Sequence, residues 1–235
     1  MFVVSPFAAS GPEEVLRSLA FCLPGAVVAT GCRGYILCVV AGFLGEPSLR
    51  PKKMSMNPLA YLDAYGSLCC LFYGFGWPLK FSYDHRNFKN PRLDEFILWG
   101  SGSLCNLFIG ILAAALMPLL PVYFSEPLLI MALMNFITGI FSLVPLYPLS
   151  GYRILEGFLS FRQRFFMEKY YSVMMLICIL WLFVFGASFM TQVGALLVSM
   201  VLSQPSYPVF GLVFLLSVLL FGGLKLYAAD SSGRG

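Results

Sequence analysis

An apolar run that starts at Leu128 is interrupted near its end, and this break constrains the chain more than any other feature. The run opens as a helix in the middle of an apolar span. Pro145 and Pro148 then arrive three residues apart, followed by Ser150 and Gly151. Each proline removes an amide donor and disfavours helix in the residue before it. In hydrocarbon an unpaired carbonyl costs several kcal/mol, so a helix unwinds only where it is buried in protein or lines a polar cavity. The break therefore points to a polar site near one face of a membrane.

Composition supplies the membrane. Of 235 residues, 59% are hydrophobic and 11% charged, with a mean hydropathy of +0.84. Soluble domains carry about 25% charged residues. The net charge of +4 lies mostly in loops, so it reports topology and not nucleic-acid binding. All seven cysteines fall in apolar stretches, with no zinc-ribbon pair; they read as packing residues. The one histidine, His85, lies in a polar loop.

The expected fold is an all-α polytopic membrane protein, a single membrane domain over 18–229. Residues 1–17 form an exposed amino-terminal segment without the basic start of a cleaved signal, and 230–235 a disordered tail. Apolar stretches at 18–44, 96–121, 128–149, 170–190 and 209–227 give about five transmembrane helices, the first kinked at Pro24-Gly25. Residues 66–77, short and interrupted by Gly66, Gly74 and Gly76, read as a re-entrant segment. After them Leu79, Phe81 and Tyr83 alternate with Lys80, Ser82 and Asp84, the pattern of a short strand. Residues 153–169 are amphipathic and read as one helix in the membrane interface. With 66–77 re-entrant, the basic residues at 50–53, 86–92 and 153–169 share one side. The positive-inside rule then puts the carboxyl terminus in the cytosol and the amino terminus outside.

Several stretches resemble the site-2 protease family of intramembrane zinc metallopeptidases. Its third core helix reads roughly Asn-x6-Asn-x-x-Pro-x-Pro-Pro-Leu-Asp-Gly. Asn135, Pro145, Pro148, Leu149 and Gly151 stand in that register, with Ser142 at the second asparagine and Ser150 at the metal-binding aspartate. Gly45-Glu46-Pro47-Ser48 resembles the family's Gly-Asp-Pro-Thr. Asn57, Pro58, Leu59, Asp63 and Gly66 match a following motif in which Tyr61 replaces a histidine. The run 86–92 resembles Arg-Asn-Phe-Arg-Asn-Pro-Arg. Residues 101–106 resemble Ala-Gly-Pro-Leu-Ala-Asn, keeping Gly102 and Asn106. The resemblance covers residues 30–170, the protease-like core.

It implies an HExxH helix, whose two histidines share a face and bind zinc while the glutamate polarises water, with a distant aspartate as third ligand. In register that motif falls on Arg33-Gly34-Tyr35-Ile36-Leu37, so Arg33, Gly34, Leu37 and Ser150 occupy the four catalytic positions. No His, Asp or Glu occurs between Glu14 and Glu46. The expectation is a non-catalytic relative without zinc or another cofactor, in a bacterial cytoplasmic membrane. The partners expected are the bilayer and a transmembrane protein segment, bound by Trp77, Leu79, Phe81, Tyr83, Asn106 and Asn135. Two other readings stay open. One is a working metallopeptidase with unrecognised ligands, for which Cys38, Asp63 and His85 are the leftover candidates. The other is a transporter or channel, since broken helices also build ion sites.

Arg33 carries its own expectation. It lies roughly 16 Å from the end of its span, where a charge costs at least about 2.5–3.5 kcal/mol. It should face the pocket that a metal would fill and donate to Asn135, Ser150, Asp63 and the carbonyls freed near Pro145 and Pro148.

Overall fold

The first helix starts at Pro12, which takes the first helical position, with Glu13 and Glu14 in the first turn. The computed structural model describes residues 11–47, 57–79, 83–84, 87–147, 149–181 and 187–203. Helix α1 (Pro12–Val27) runs through a π-helical turn (Val28–Cys32) into α2 (Arg33–Leu44), giving one apolar helix of 33 residues. Residues 12–17, expected as an exposed segment, thus form its first turns. The helix also continues through Pro24. An irregularity follows at the π turn, where Thr30 Oγ1 donates to the Ala26 carbonyl across 2.7 Å. Gly25 serves close packing: a Cβ there would sit 2.6 Å from Met134 Sδ. The helix ends at Gly45, whose φ of 119° suits only glycine.

Helix α3 (Ala64–Tyr73) is capped by Asp63, whose Oδ1 accepts from Gly66 N at 2.7 Å, and it stops at Gly74 with φ 73°. Its flanks meet. Leu62 and Pro78 form an antiparallel bridge, and Leu79 N donates to the Tyr61 carbonyl at 2.8 Å. This bridge is the β pairing found among the described residues; positions 80–82 of the expected strand at 79–83 lie outside them.

Helix α4 (Pro91–Leu116) and helix α5 (Ser125–Phe141) form the most extensive pairing, and α2 and α6 (Ser150–Phe158) pack on α4. Among the described residues three helices, Pro12–Leu44, Pro91–Leu119 and Val122–Phe141, are long and apolar enough to cross a membrane. The stretch expected to span at 170–190 contains α8 (Tyr171–Trp181) and the start of α9 (Ala187–Leu202). The span expected at 209–227 lies outside the described residues. The interfacial helix expected over 153–169 is two helices. It breaks at Leu159-Ser160 between α6 and α7 (Phe161–Lys169), because Ser160 and Gln163 close a reciprocal capping box.

One apolar cluster joins α1, α3, α4, α5 and α9, with Phe75 edge-on to Phe141 at 4.3 Å. A second, built from Leu37, Val40, Leu44, Phe88 and Leu98, seals α2 against α4. Val173, Leu176, Ile177 and Leu180 leave α8 with an exposed apolar surface.

Candidate functional site

The site is built where α5 unwinds. The helix stops at Phe141, where Ser142 Oγ bonds back to the Gly139 carbonyl at 2.8 Å. Tight turns follow, with Leu143 N on the Ile140 carbonyl and Val144 N on the Phe141 carbonyl. The chain then doubles back, and Gly151 N donates to the Ser142 carbonyl at 2.7 Å. A Cβ on Gly151 would run into the Leu143 carbonyl oxygen, so glycine alone lets α6 begin this close to the end of α5.

That return places Ser150 beside Arg33. Arg33 is 2% exposed; its Nη2 donates to Ser150 Oγ at 2.6 Å and its Nη1 to the Thr138 carbonyl at 3.4 Å. Gly102 leaves room for the arginine stem, since a Cβ there would stand 3.3 Å from Arg33 Cγ. Of the acceptors expected from the sequence, Ser150 takes the bond. Asn135 and Asp63 do not: Asn135 donates through Nδ2 to the Met131 carbonyl at 2.8 Å while its Oδ1 takes no hydrogen bond among the described residues, and Asp63 Oδ1 caps α3. The helical carbonyl engaged belongs to Thr138, upstream of both prolines.

A cavity of about 120 Å³ opens on this pair. Arg33, Ser142 and Ser150 supply polar atoms, while Leu37, Phe75 and Leu149 supply apolar wall. Trp77, Leu79, Tyr83 and Arg153 also line it. Leu79 is 47% exposed. Ser142 Oγ lies 2.8 Å from Ser103 Oγ, tying the cavity wall to α4. Burial, with Glu95 nearby, pushes the Tyr83 phenol up to about 12, so it stays neutral, and its oxygen accepts from Trp99 Nε1 at 3.2 Å. Arg153 pairs with Glu156 at 3.0 Å.

Of the residues singled out by sequence, the cavity gathers Arg33, Leu37, Ser150, Trp77, Leu79 and Tyr83. Gly34 does not line it; it packs against Tyr61 and Pro78, 2.6 and 3.0 Å from a hypothetical Cβ. Asn106 and Asn135 are buried away from it. Asn106 is 0% exposed, and among the described residues both of its amide atoms lack a partner. Phe81 lies outside the described residues. Sequence reasoning passed over Ser142 as a structural bond, Arg153 as a lining residue, and Glu46. Glu46 is 5% exposed and accepts from Asp84 N at 2.9 Å and Asn87 Nδ2 at 3.1 Å. Its signal was a lone acid directly after an apolar span.

The residues that line this cavity do not offer the ligands that zinc takes. Among the described residues no three His, Cys, Asp or Glu side chains converge. A divalent cation in the cavity would face the Arg33 guanidinium, and serine hydroxyls are not the thiolate, imidazole or carboxylate ligands zinc takes. Of the alternative ligand set, Cys38 is buried in the protein, Asp63 caps α3, and His85 lies outside the described residues.

The chain is similar to "Putative zinc metalloprotease YwhC" of Bacillus subtilis (strain 168), at 30% identity over 125 residues, covering 48% of this chain and 57% of that relative. The chain thus spans little more than half the length of the curated relative it matches. This similarity supports a relationship of the site-2 protease kind. No family model matches the chain, and no solved structure matches it.

Proposed function

We propose that this integral membrane protein has a site-2 protease-like core that receives a membrane segment of another protein and does not cut it. The observation that carries the reading is the Arg33–Ser150 bond. The family register assigns these two positions, far apart in sequence, to zinc ligands, and here their side chains hydrogen-bond at 2.6 Å. A cation already held by the protein takes the place that the register gives to a metal. The wall formed by Trp77, Leu79 and Tyr83 supports the second half of the reading, since an extended segment laid against exposed backbone is a general recognition mode. The meeting of Leu62 with Pro78 supports a re-entrant 66–77 beside that wall. A bacterial cytoplasmic membrane, carboxyl terminus in the cytosol, is the setting proposed.

A second reading, a metallopeptidase with atypical ligands, draws support from the name that the relative carries. Elemental analysis and a cleavage assay on transmembrane peptides separate the two. The purified protein should hold no stoichiometric zinc and leave every peptide intact. A photocrosslinker at Leu79 should trap full-length membrane proteins in preference to one at Phe165 on α7. Stoichiometric zinc that is lost on Asp63→Ala or Cys38→Ala, together with peptide cleavage, would overturn the reading.

A further inference from the structure

Among the described residues the charge beside the cavity has no counter-charge. Among the described residues the partners of Arg33 are one hydroxyl and one carbonyl, and no carboxylate pairs with it. A guanidinium carries five N–H donors in a planar fork, and these two bonds leave the fork underused. Taking a charge out of water costs several kcal/mol unless an opposite charge repays it. Acids of the described core and its flanks have partners of their own: Glu46 binds Asp84 N and Asn87, Asp63 binds Gly66 N, Asp94 binds Asn90 N, Glu156 binds Arg153, and the buried Glu95 is engaged as well.

The cavity matches that deficit. Among the described residues no Asp or Glu lines it, whereas Arg33, Arg153 and the hydroxyls of Ser142 and Ser150 do. The first turn of α6, with Ser150 and Arg153, adds the positive end of a helix. Its volume of about 120 Å³ compares with the roughly 10–15 Å³ that one ordered water needs, so a carboxyl group and its methylene fit. One uncompensated cation matches a monoanion, and the guanidinium fork matches the two oxygens of a carboxylate.

We infer that the cavity is a carboxylate-recognition site in which Arg33 supplies the charge and Ser150 a hydroxyl. The carboxylate is carried by the bound membrane segment, as an acidic side chain or a chain terminus. Its source rests on the segment-binding reading above; the anion site itself does not.

The test uses the full chain in detergent, at constant ionic strength. Acetate should raise the thermal midpoint saturably, and acetamide should not. Ser150→Asp places a carboxylate within reach of the guanidinium. It should raise the midpoint and abolish the acetate response, and it does so without removing Arg33. A transmembrane peptide with one central Asp should bind about tenfold more tightly than its Asn counterpart, the size of a 1.4 kcal/mol difference. Equal effects of acetate and acetamide, or an acetate response that survives Ser150→Asp, would overturn the inference. Equal, tight binding of the Asp and Asn peptides overturns it while leaving the segment-binding reading intact. An acetate response with no binding of either peptide supports the anion site and removes the segment reading instead.

Discussion

Arg33 Nη2 donates to Ser150 Oγ at 2.6 Å, a bond that ties the first long apolar helix to the first turn of α6 across the unwound end of α5. Its geometry is set by two glycines. Gly102 clears the arginine stem, and Gly151 lets α6 start against the Leu143 carbonyl.

Ser150→Ala removes the hydroxyl and leaves a buried charged donor without its close acceptor. Hydrogen bonds to charged groups contribute about 1.5–3 kcal/mol, so a loss of that order is expected in thermal or denaturant unfolding in detergent. Ser199→Ala, which removes an exposed hydroxyl on α9 that bonds its own helix, should change stability by less than about 0.5 kcal/mol. Comparable losses in both variants would mean that the Arg33–Ser150 bond carries no special weight.

Much of this site was legible because proline and helix period act locally. The absent donors at Pro145 and Pro148 foretold an unwound segment, and the family register brought positions 33 and 150 together. The rest depended on competition that a sequence does not rank. Asp63 Oδ1 bonds Gly66 N at its own helix start, a short-range bond that orders few residues and outcompetes a distant guanidinium. Asn135 bonds Met131 through Nδ2, one turn back, and its Oδ1 takes no hydrogen bond among the described residues. The stop at Phe141, ahead of both prolines, depends on Ser142 bonding to Gly139 and Ser103. The split between α6 and α7 was written in the sequence as Ser160 and Gln163, but the amphipathic pattern across it concealed the cap.

The flanks of α3 are held together by glycines that touch backbone. A Cβ on Gly66 would meet the Trp77 carbonyl oxygen, and one on Gly76 would meet the Gly66 carbonyl oxygen. Neither contact is relieved by turning a side chain. Gly66→Ala and Gly76→Ala should each cost about 3 kcal/mol or more, in the range of severe core changes, and reduce the yield of folded protein on gel filtration. At Gly100, in α4, a Cβ would meet nothing within 4 Å. Gly100→Ala should therefore stabilise the protein by about 0.5–1 kcal/mol. A well-folded Gly66→Ala variant would remove the argument for close approach.

Asn106 is buried without compensation, since both amide atoms lack a partner among the described residues. Replacing a buried, unsatisfied polar group by an apolar one of similar shape is neutral or stabilising, and an unmet group costs about 1–3 kcal/mol. Asn106→Leu is expected to raise the thermal midpoint without reducing capture of a membrane segment at Leu79. Lost capture with an unchanged midpoint would give Asn106, which does not line the cavity, a part in binding.

The last prediction concerns topology. Helix α3 has 10 residues, about 15 Å at 1.5 Å per residue, against a hydrocarbon core of about 30 Å. Its flanks are bridged at Leu62 and Pro78, so the chain comes back to where it left. A segment that entered one face and emerged at the other could not make that bridge. Residues on either side should therefore share a compartment. The positive-inside rule agrees, because the basic residues near 52, 89 and 163 then lie together. In a background with all seven cysteines replaced, single cysteines at Lys52, Lys89 and Gln163 should react with an impermeant reagent from the same face. A cysteine at Arg17, at the far end of the first long helix, should react from the opposite face. Opposite accessibility of positions 52 and 89 would mean that 66–77 crosses the membrane, and the wall of Trp77 and Leu79 would then open to the other side.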